Sequence, residues 1–144
     1  MIKIVAAVIE REGRLLICQR RKDDSLALKW EFPGGKVEAG ETTEAALARE
    51  LREELGATLR KSREIARVEH SYPKLSEPRE IRFFAADIGE EQITPKGFEK
   101  TAWVRPKELG AYDFLEANAA LVAHLATGKI RPGEILTEEY KMPG

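Results

Sequence analysis

Residues 34 to 57 read GGKVEAGETTEAALARELREELGA. Within this stretch, Thr42 to Leu55 is the clearest helix of the chain. Thr42 or Thr43 supplies an N-cap hydroxyl, Glu44 lies in the first turn, Ala and Leu recur throughout, and Gly56 follows the end. Leu47, Ala48, Leu51 and Leu55 fall on one stripe that can face a core. Glu50, Glu53 and Glu54, spaced i, i+3, i+4, share a face offset from that stripe. A solvated face would place Lys four residues after Glu, yet Glu50 meets Glu54, and each such like-charged pair costs about 0.2–0.5 kcal/mol. A face of like charges calls for a counter-ion, and all-oxygen carboxylate donors suit a hard cation, Mg²⁺ or Mn²⁺. Charge runs on helices are also common as plain solvated surface, so the spacing by itself leaves both readings open. Just upstream, Pro33-Gly34-Gly35 reads as a tight turn with bare backbone. Its carbonyls can complete a metal's oxygen shell, and backbone near the helix N-terminus can approach a phosphate.

Outward from the helix, the chain alternates strand and turn. Met1 to Ile9 reads as a buried strand, Glu10 to Gly13 as a polar turn, and Arg14 to Arg20 as the return of a hairpin. Arg20 to Lys29 is a polar loop, and Trp30 to Phe32 a short strand stopped by Pro33. Glu64 to Ser71 and Glu80 to Ile88 read as two strands separated by a loop holding Pro73 and Pro78. Thr101 to Val104 is a further strand, Pro106 to Leu109 one helical turn, and Leu115 to Thr127 a second helix ended by Gly128. From Lys129 onward, Pro132, Gly133, Pro143 and Gly144 predict mostly loop. The order β-β-β-α-β-β-β-α predicts an α/β domain with helices packed on a mixed sheet.

Composition narrows the class. A chain of 144 residues is long enough for one domain with a real core, and 42% hydrophobic content with near-balanced charge is not that of a disordered chain. The net charge of −1 argues against binding a nucleic-acid polymer, which needs excess Lys and Arg. The longest apolar run, Ile4 to Ile9, is far short of a bilayer span, and the N-terminus has no cleavage-site pattern. The single cysteine, Cys18, lies in an apolar run and reads as a small buried hydrophobe. These features predict a cytoplasmic protein without membrane partners. The acids are not evenly spread. Six glutamates sit between Glu38 and Glu54, opposed only by Arg49 and Arg52.

With these residues in hand, the sequence resembles the Nudix hydrolase family, whose box is G-x5-E-x7-R-E-U-x-E-E-x-G-U with U aliphatic. Gly35, Glu41, Arg49, Glu50, Leu51, Glu53, Glu54 and Gly56 match in register, and Ala57 takes the last aliphatic place with a smaller side chain. The resemblance implies an α/β/α sandwich and hydrolysis of a nucleoside diphosphate linked to another moiety. It implies that Glu50, Glu53 and Glu54 ligate divalent metal, joined by the Gly34 carbonyl, with Glu41 in support and Arg49 orienting the glutamates. Charge neutralisation and an activated water are what phosphoanhydride hydrolysis asks for. A Nudix domain kept only for binding would usually have lost box carboxylates, and none is lost here.

Within the family, Trp30-Glu31-Phe32-Pro33-Gly34-Gly35-Lys36 resembles the MutT branch. The similarity extends to Val5–Ile9, to Glu69-His70-Ser71-Tyr72-Pro73 and to Tyr112–Leu115. That branch splits nucleoside triphosphates to the monophosphate and pyrophosphate. By resemblance, Asn118 would read an oxidised guanine. A carboxamide donates and accepts at once, as a purine edge requires. A local backbone bond from Asn118 is the competing reading. CTP-preferring relatives carry Asp there, and a pyrimidine triphosphate is the alternative substrate. Arg20 and Arg79 match MutT nucleotide-contact positions by spacing, with a surface arginine the competing reading for each. Phe32 is read as a nucleotide contact against a core aromatic, and Lys36 as a substrate-binding residue. A further acid expected about six residues before Trp103 is replaced by Gly97, which leaves Glu99 as the nearest stand-in for a metal ligand. The expectation is one Nudix domain over residues 1–128, a tail over 129–144 of unknown role, and a monomer or homodimer.

Overall fold

The computed structural model describes residues 1–137. Strand β1 (Ile2–Arg11) turns through Glu12-Gly13, both at positive φ, into β2 (Arg14–Gln19). A two-residue turn with both φ values positive matches the twist of an antiparallel pair. Then follow β3 (Trp30–Glu31), β4 (Gly34–Lys36), helix α1 (Thr43–Leu55), β5 (Lys61–His70), β6 (Arg79–Asp87) and β7 (Lys100–Val104). Two 3₁₀ turns, Pro106–Ala111 and Glu116–Asn118, lead into α2 (Ala119–Ala126), and α3 (Pro132–Thr137) comes last. The seven strands form a mixed sheet in which β1 runs parallel to β6, while β5 pairs antiparallel with β6, β4 with β1, and β2 with β1, β3 and β7.

The alternation of β1 divides the core in two. Val5, Ala7 and Ile9 pack with Leu47, Leu51 and Leu55 of α1 and with Phe84. Ala6 and Val8 pack with Phe32, Phe83 and with Leu121 and Leu125 of α2. Successive side chains of a strand point to opposite faces, which gives the helix–sheet–helix layering expected from the sequence. Each buried Leu of α1 contributes about 1.5–3 kcal/mol of transfer free energy. On that helix Ala46 is fully buried, whereas Ala48, expected on the stripe, is half-buried. Ala57 is fully buried as well, so its small side chain sits within the α1 core.

The structure corrects three expectations. Gly34-Gly35 is not a tight turn but part of β4, paired antiparallel with Val5 and Ala6. A Cβ at Gly34 would land on the Val5 carbonyl oxygen and 2.7 Å from the Ala6 Cα, so glycine here serves close strand approach. The second helix does not start at Leu115. Its first turn, Glu116–Asn118, is 3₁₀, and the α-helix begins at Ala119. The segment after Lys129 is not all loop, because α3 starts on a buried Pro132. Proline suits a first helical turn, where its missing N–H has no partner to lose. Lys61 Nζ donates to the Leu136 carbonyl (3.0 Å), tying α3 to β5. The rest of the expected tail, residues 138–144, lies outside the described residues. Among the described residues no helix is long and apolar enough to cross a membrane.

Candidate active site

Helix α1 presents the acids because both its ends are well defined. The Thr42 hydroxyl accepts from the Ala45 N–H (3.1 Å), and Gly56, at φ 66°, closes the C-terminus in the left-handed region. Leu47, Leu51 and Leu55 fix the rotation of the helix, so Glu50 and Glu54 turn towards β4 while Glu53 stays in solvent, its side chain 60% exposed. Gly35 makes room for this. A Cβ there would collide with the Glu50 carboxylate. The Gly34 N–H leaves the ladder and donates to Glu54 Oε1 at 3.0 Å. In an antiparallel strand the N–H and C=O of one residue share an edge, so the Gly34 carbonyl faces the same side as its N–H.

Arg49 organises the rest. Its Nε and Nη2 donate to the two oxygens of Glu41 (2.8 and 2.9 Å), Nη1 to Glu50 (2.9 Å) and to Glu53 (3.3 Å), and Nη2 also to the Lys36 carbonyl (2.9 Å). The helical i,i+4 pair with Glu53 and the orienting contact with Glu50 are therefore both present. These hydrogen bonds from Arg49 hold the Glu41 carboxyl down at about 2. Glu54 behaves in the opposite way. Burial first, then the charges of Glu50 and Glu31, push its carboxyl up to about 8, against the single N–H of Gly34. Burial likewise raises Glu50, with Arg49 opposing.

These residues fit a divalent cation on the chemistry of the donors. They offer only oxygen, they repel one another, and the most buried of them is costly to ionise without added positive charge. Among the described residues, no three His, Cys, Asp or Glu side chains converge into a ready-made metal cage. The three glutamates run instead from half-buried Glu54 to exposed Glu53.

Beside the acids opens a cavity of about 450 Å³, within the range of small-molecule sites. It runs from Glu54, Gly34, Gly35 and Lys36 to Phe32, Arg20, Arg79 and Asn118. Phe32 is buried, edge-on to Phe83 and tilted on Phe114. Asn118 is the one buried polar or charged residue among the described residues, 4% exposed, and its side chain makes no capping bond to α2. Arg20 pairs with Asp24 (2.6 Å) and Glu31 (3.1 Å). The Nε atoms of Arg20 and Arg79 are buried and find no acceptor. Glu99 is exposed and does not line this cavity, although Gly97 and Phe98 do. His70, read from sequence as structural, lies edge-on to Tyr72, and His124 sits on α2 away from the cavity lining.

Sequence reasoning passed over Glu31. It lines the cavity, pairs with Arg20, and burial raises its carboxyl pKa against that pairing. The signal was an acid set between Trp30 and Phe32 in a strand, where a solvated charge is out of place.

Residues 2–126 match the family model described as NUDIX domain. The CTP pyrophosphohydrolase of Escherichia coli (strain K12) is 36% identical over 137 residues, covering 93% of this chain and 98% of that protein. An 8-oxo-dGTP diphosphatase of Haemophilus influenzae is 38% identical over 128 residues, covering 87% and 91%. A solved MutT structure, from work on the Aliivibrio salmonicida and Vibrio cholerae proteins, superposes with a TM-score of 0.72 at 30% identity, covering 88% of this chain and 98% of that one. The chain belongs to the NUDIX domain family and is a Nudix hydrolase of MutT type. Enzymes of this family are generally dependent on a divalent metal.

Proposed function

We propose that the chain hydrolyses nucleoside triphosphates to the nucleoside monophosphate and pyrophosphate, with Mg²⁺ as its metal, and that it prefers an oxidised guanine nucleotide such as 8-oxo-dGTP. The unit that does this is the Nudix domain of residues 1–128. One observation carries the base preference: Asn118 is buried in the cavity wall with its carboxamide uncommitted to the helix cap. An amide that borders the cavity and makes no capping bond can give its donor and its acceptor to a purine edge that offers carbonyl and N–H together.

Glu50, Glu53, Glu54 and the Gly34 carbonyl would hold the cation, which would supply neutralisation of phosphate charge and a lowered pKa for water at the site. Arg49 and Glu41 keep those carboxylates in place. Arg20 and Arg79 bring guanidinium N–H groups that lack acceptors, and Lys36 adds a further cation at the β4 end of the cavity. Together they position the polyphosphate that bare carboxylates would repel. Phe32 supplies an apolar surface for the base. The oxygen of water bonds to the β phosphorus as the bond from that phosphorus to the α–β bridging oxygen breaks. The bridging oxygen leaves on the monophosphate, the water oxygen stays in the pyrophosphate, and the water's protons pass to solvent.

A second reading has its own support. The E. coli CTP pyrophosphohydrolase matches this chain over nearly its whole length, which favours a pyrimidine triphosphate. A panel of 8-oxo-dGTP, dGTP, CTP and dCTP, followed by pyrophosphate release, separates the two. A lower kcat/KM for 8-oxo-dGTP than for CTP would reject the oxidised-guanine preference.

A further inference from the structure

Asn118 sits at the end of a short 3₁₀ turn, Glu116–Asn118, held by two dissimilar supports. On one side the support is backbone. Trp30 of β3 donates its N–H to Asp113 O (2.9 Å) and accepts from Leu115 N through its carbonyl (2.9 Å). On the other side it is side chains: His70 Nε2 lies 3.6 Å from the Glu116 carboxylate, and Tyr72 contributes one hydrogen-bonding atom. The hydroxyl oxygen of Tyr72 accepts the N–H of Ala117, the residue before Asn118, at 3.0 Å. Both partners are buried, Tyr72 at 8% and Ala117 at 5% exposure. Ala117 N–H lies in the first turn of a helical segment, where no intrahelical acceptor exists, so Tyr72 supplies what the chain cannot. The Tyr72 ring is itself set by His70, whose ring lies edge-on at a 4.4 Å centroid distance, and by the turn in which Leu75 N donates to Tyr72 O (3.0 Å).

From this geometry we infer that Tyr72 is a positioning residue for base recognition: its hydroxyl fixes the turn that aims the Asn118 carboxamide into the cavity. The inference rests on the proposed role of Asn118. Tyr72 lies 46 residues earlier in sequence, in the connection between β5 and β6; its ring borders the cavity, and its hydroxyl is bonded to the turn that carries Asn118. Removing the hydroxyl leaves a buried N–H without a partner and lets the turn relax, so Asn118 loses its fixed aim. Specificity then depends on a second residue that is remote in sequence.

The test is a double-mutant cycle with Tyr72→Phe, Asn118→Ala and the pair, assayed on 8-oxo-dGTP, dGTP and CTP. Tyr72→Phe keeps the ring and its packing. It is expected to raise KM for the preferred triphosphate about tenfold, the scale of one lost hydrogen bond, with a smaller change in kcat. The ratio of kcat/KM between preferred and disfavoured bases should fall by a similar factor. In the Asn118→Ala background the same substitution should change neither KM nor that ratio. Additive effects in the pair would overturn the inference, since they would mean that Tyr72 acts directly or only on stability. So would an unchanged selectivity ratio in Tyr72→Phe. The wild-type profile separately tests the substrate reading. If CTP proves the preferred substrate, the oxidised-guanine preference fails, and the cycle read on CTP still decides whether Tyr72 works through Asn118.

Discussion

Arg49 grips Glu41 at two points, Nε to Oε2 at 2.8 Å and Nη2 to Oε1 at 2.9 Å. Glu41 lies before the helix and Arg49 on its second turn, so the pair fastens the entrance loop to α1 while Arg49 still reaches Glu50 and Glu53. A planar guanidinium grips Glu41 at two points and still reaches Glu50 and Glu53, whereas an ammonium with three donors cannot make the same set of bonds. Arg49→Lys is therefore expected to lower kcat/KM and apparent Mg²⁺ affinity by about 10–100-fold, the usual cost of losing a group that orients ligands. Steady-state rates over a Mg²⁺ titration measure both effects.

Glu53 has a different exposure and a different expected loss. Its side chain is 60% exposed, so Glu53→Gln should fold with an unchanged thermal midpoint. Turnover should fall by more than about 100-fold, beyond the range of a merely orienting group. Wild-type activity in this variant would remove Glu53 from the metal site.

The two glycines of β4 separate fold from function. A Cβ at Gly34 meets backbone, the carbonyl of Val5 and the Cα of Ala6. Gly34→Ala should therefore cost about 1–3 kcal/mol of stability through forced backbone movement. The atoms nearest a Cβ at Gly35 are the end of the Glu50 side chain, which can move by giving up its bond from Arg49. Gly35→Ala should keep most of the stability and lose Mg²⁺ affinity. Denaturant melts and metal titration of the two variants check the contrast.

Glu54 makes a pH prediction for the metal-free protein. Its carboxyl is raised from the ordinary 4.5 to about 8 in the folded state, so between those values the native chain holds a proton that the unfolded chain has released. Stability is then full below about pH 4.5 and falls as pH rises towards 8. One pKa unit corresponds to about 1.36 kcal/mol, so the shift sets a ceiling of roughly 5 kcal/mol on the loss, reduced by solvent screening of this half-buried group. Glu54→Gln should flatten the slope, and added Mg²⁺ should restore stability most strongly near pH 8. Urea unfolding with EDTA and with Mg²⁺ across this range gives the comparison. A metal-free stability that rises with pH in the wild type alone would contradict the assignment.

What could be read before the structure depended on whether a signal was local. Helix α1 was legible almost to the residue because its cap, apolar stripe and terminal glycine all lie within it. Strand β4 was not, because Gly-Gly-Lys has no strand preference of its own and is extended only through pairing with Val5 and Ala6 of β1. The same limit hid α3, whose helix is anchored by Lys61, far away in sequence. The box glutamates were legible as a charge anomaly, while Glu31 was masked by the apolar residues on either side. Glu99, the stand-in that spacing leaves before Trp103, is exposed, as the box residue Glu53 is.

Strand β1 carries a further consequence. Its odd residues back the helix that holds the acids, and its even residues back the layer that holds Asn118. The two layers meet at one rim, where Glu54 and Asn118 border the same cavity and Val5 and Ala6 of β1 both line it. A single strand thus sets the distance between the acidic end of that cavity and its far wall, so a shift in its register would move both ends together.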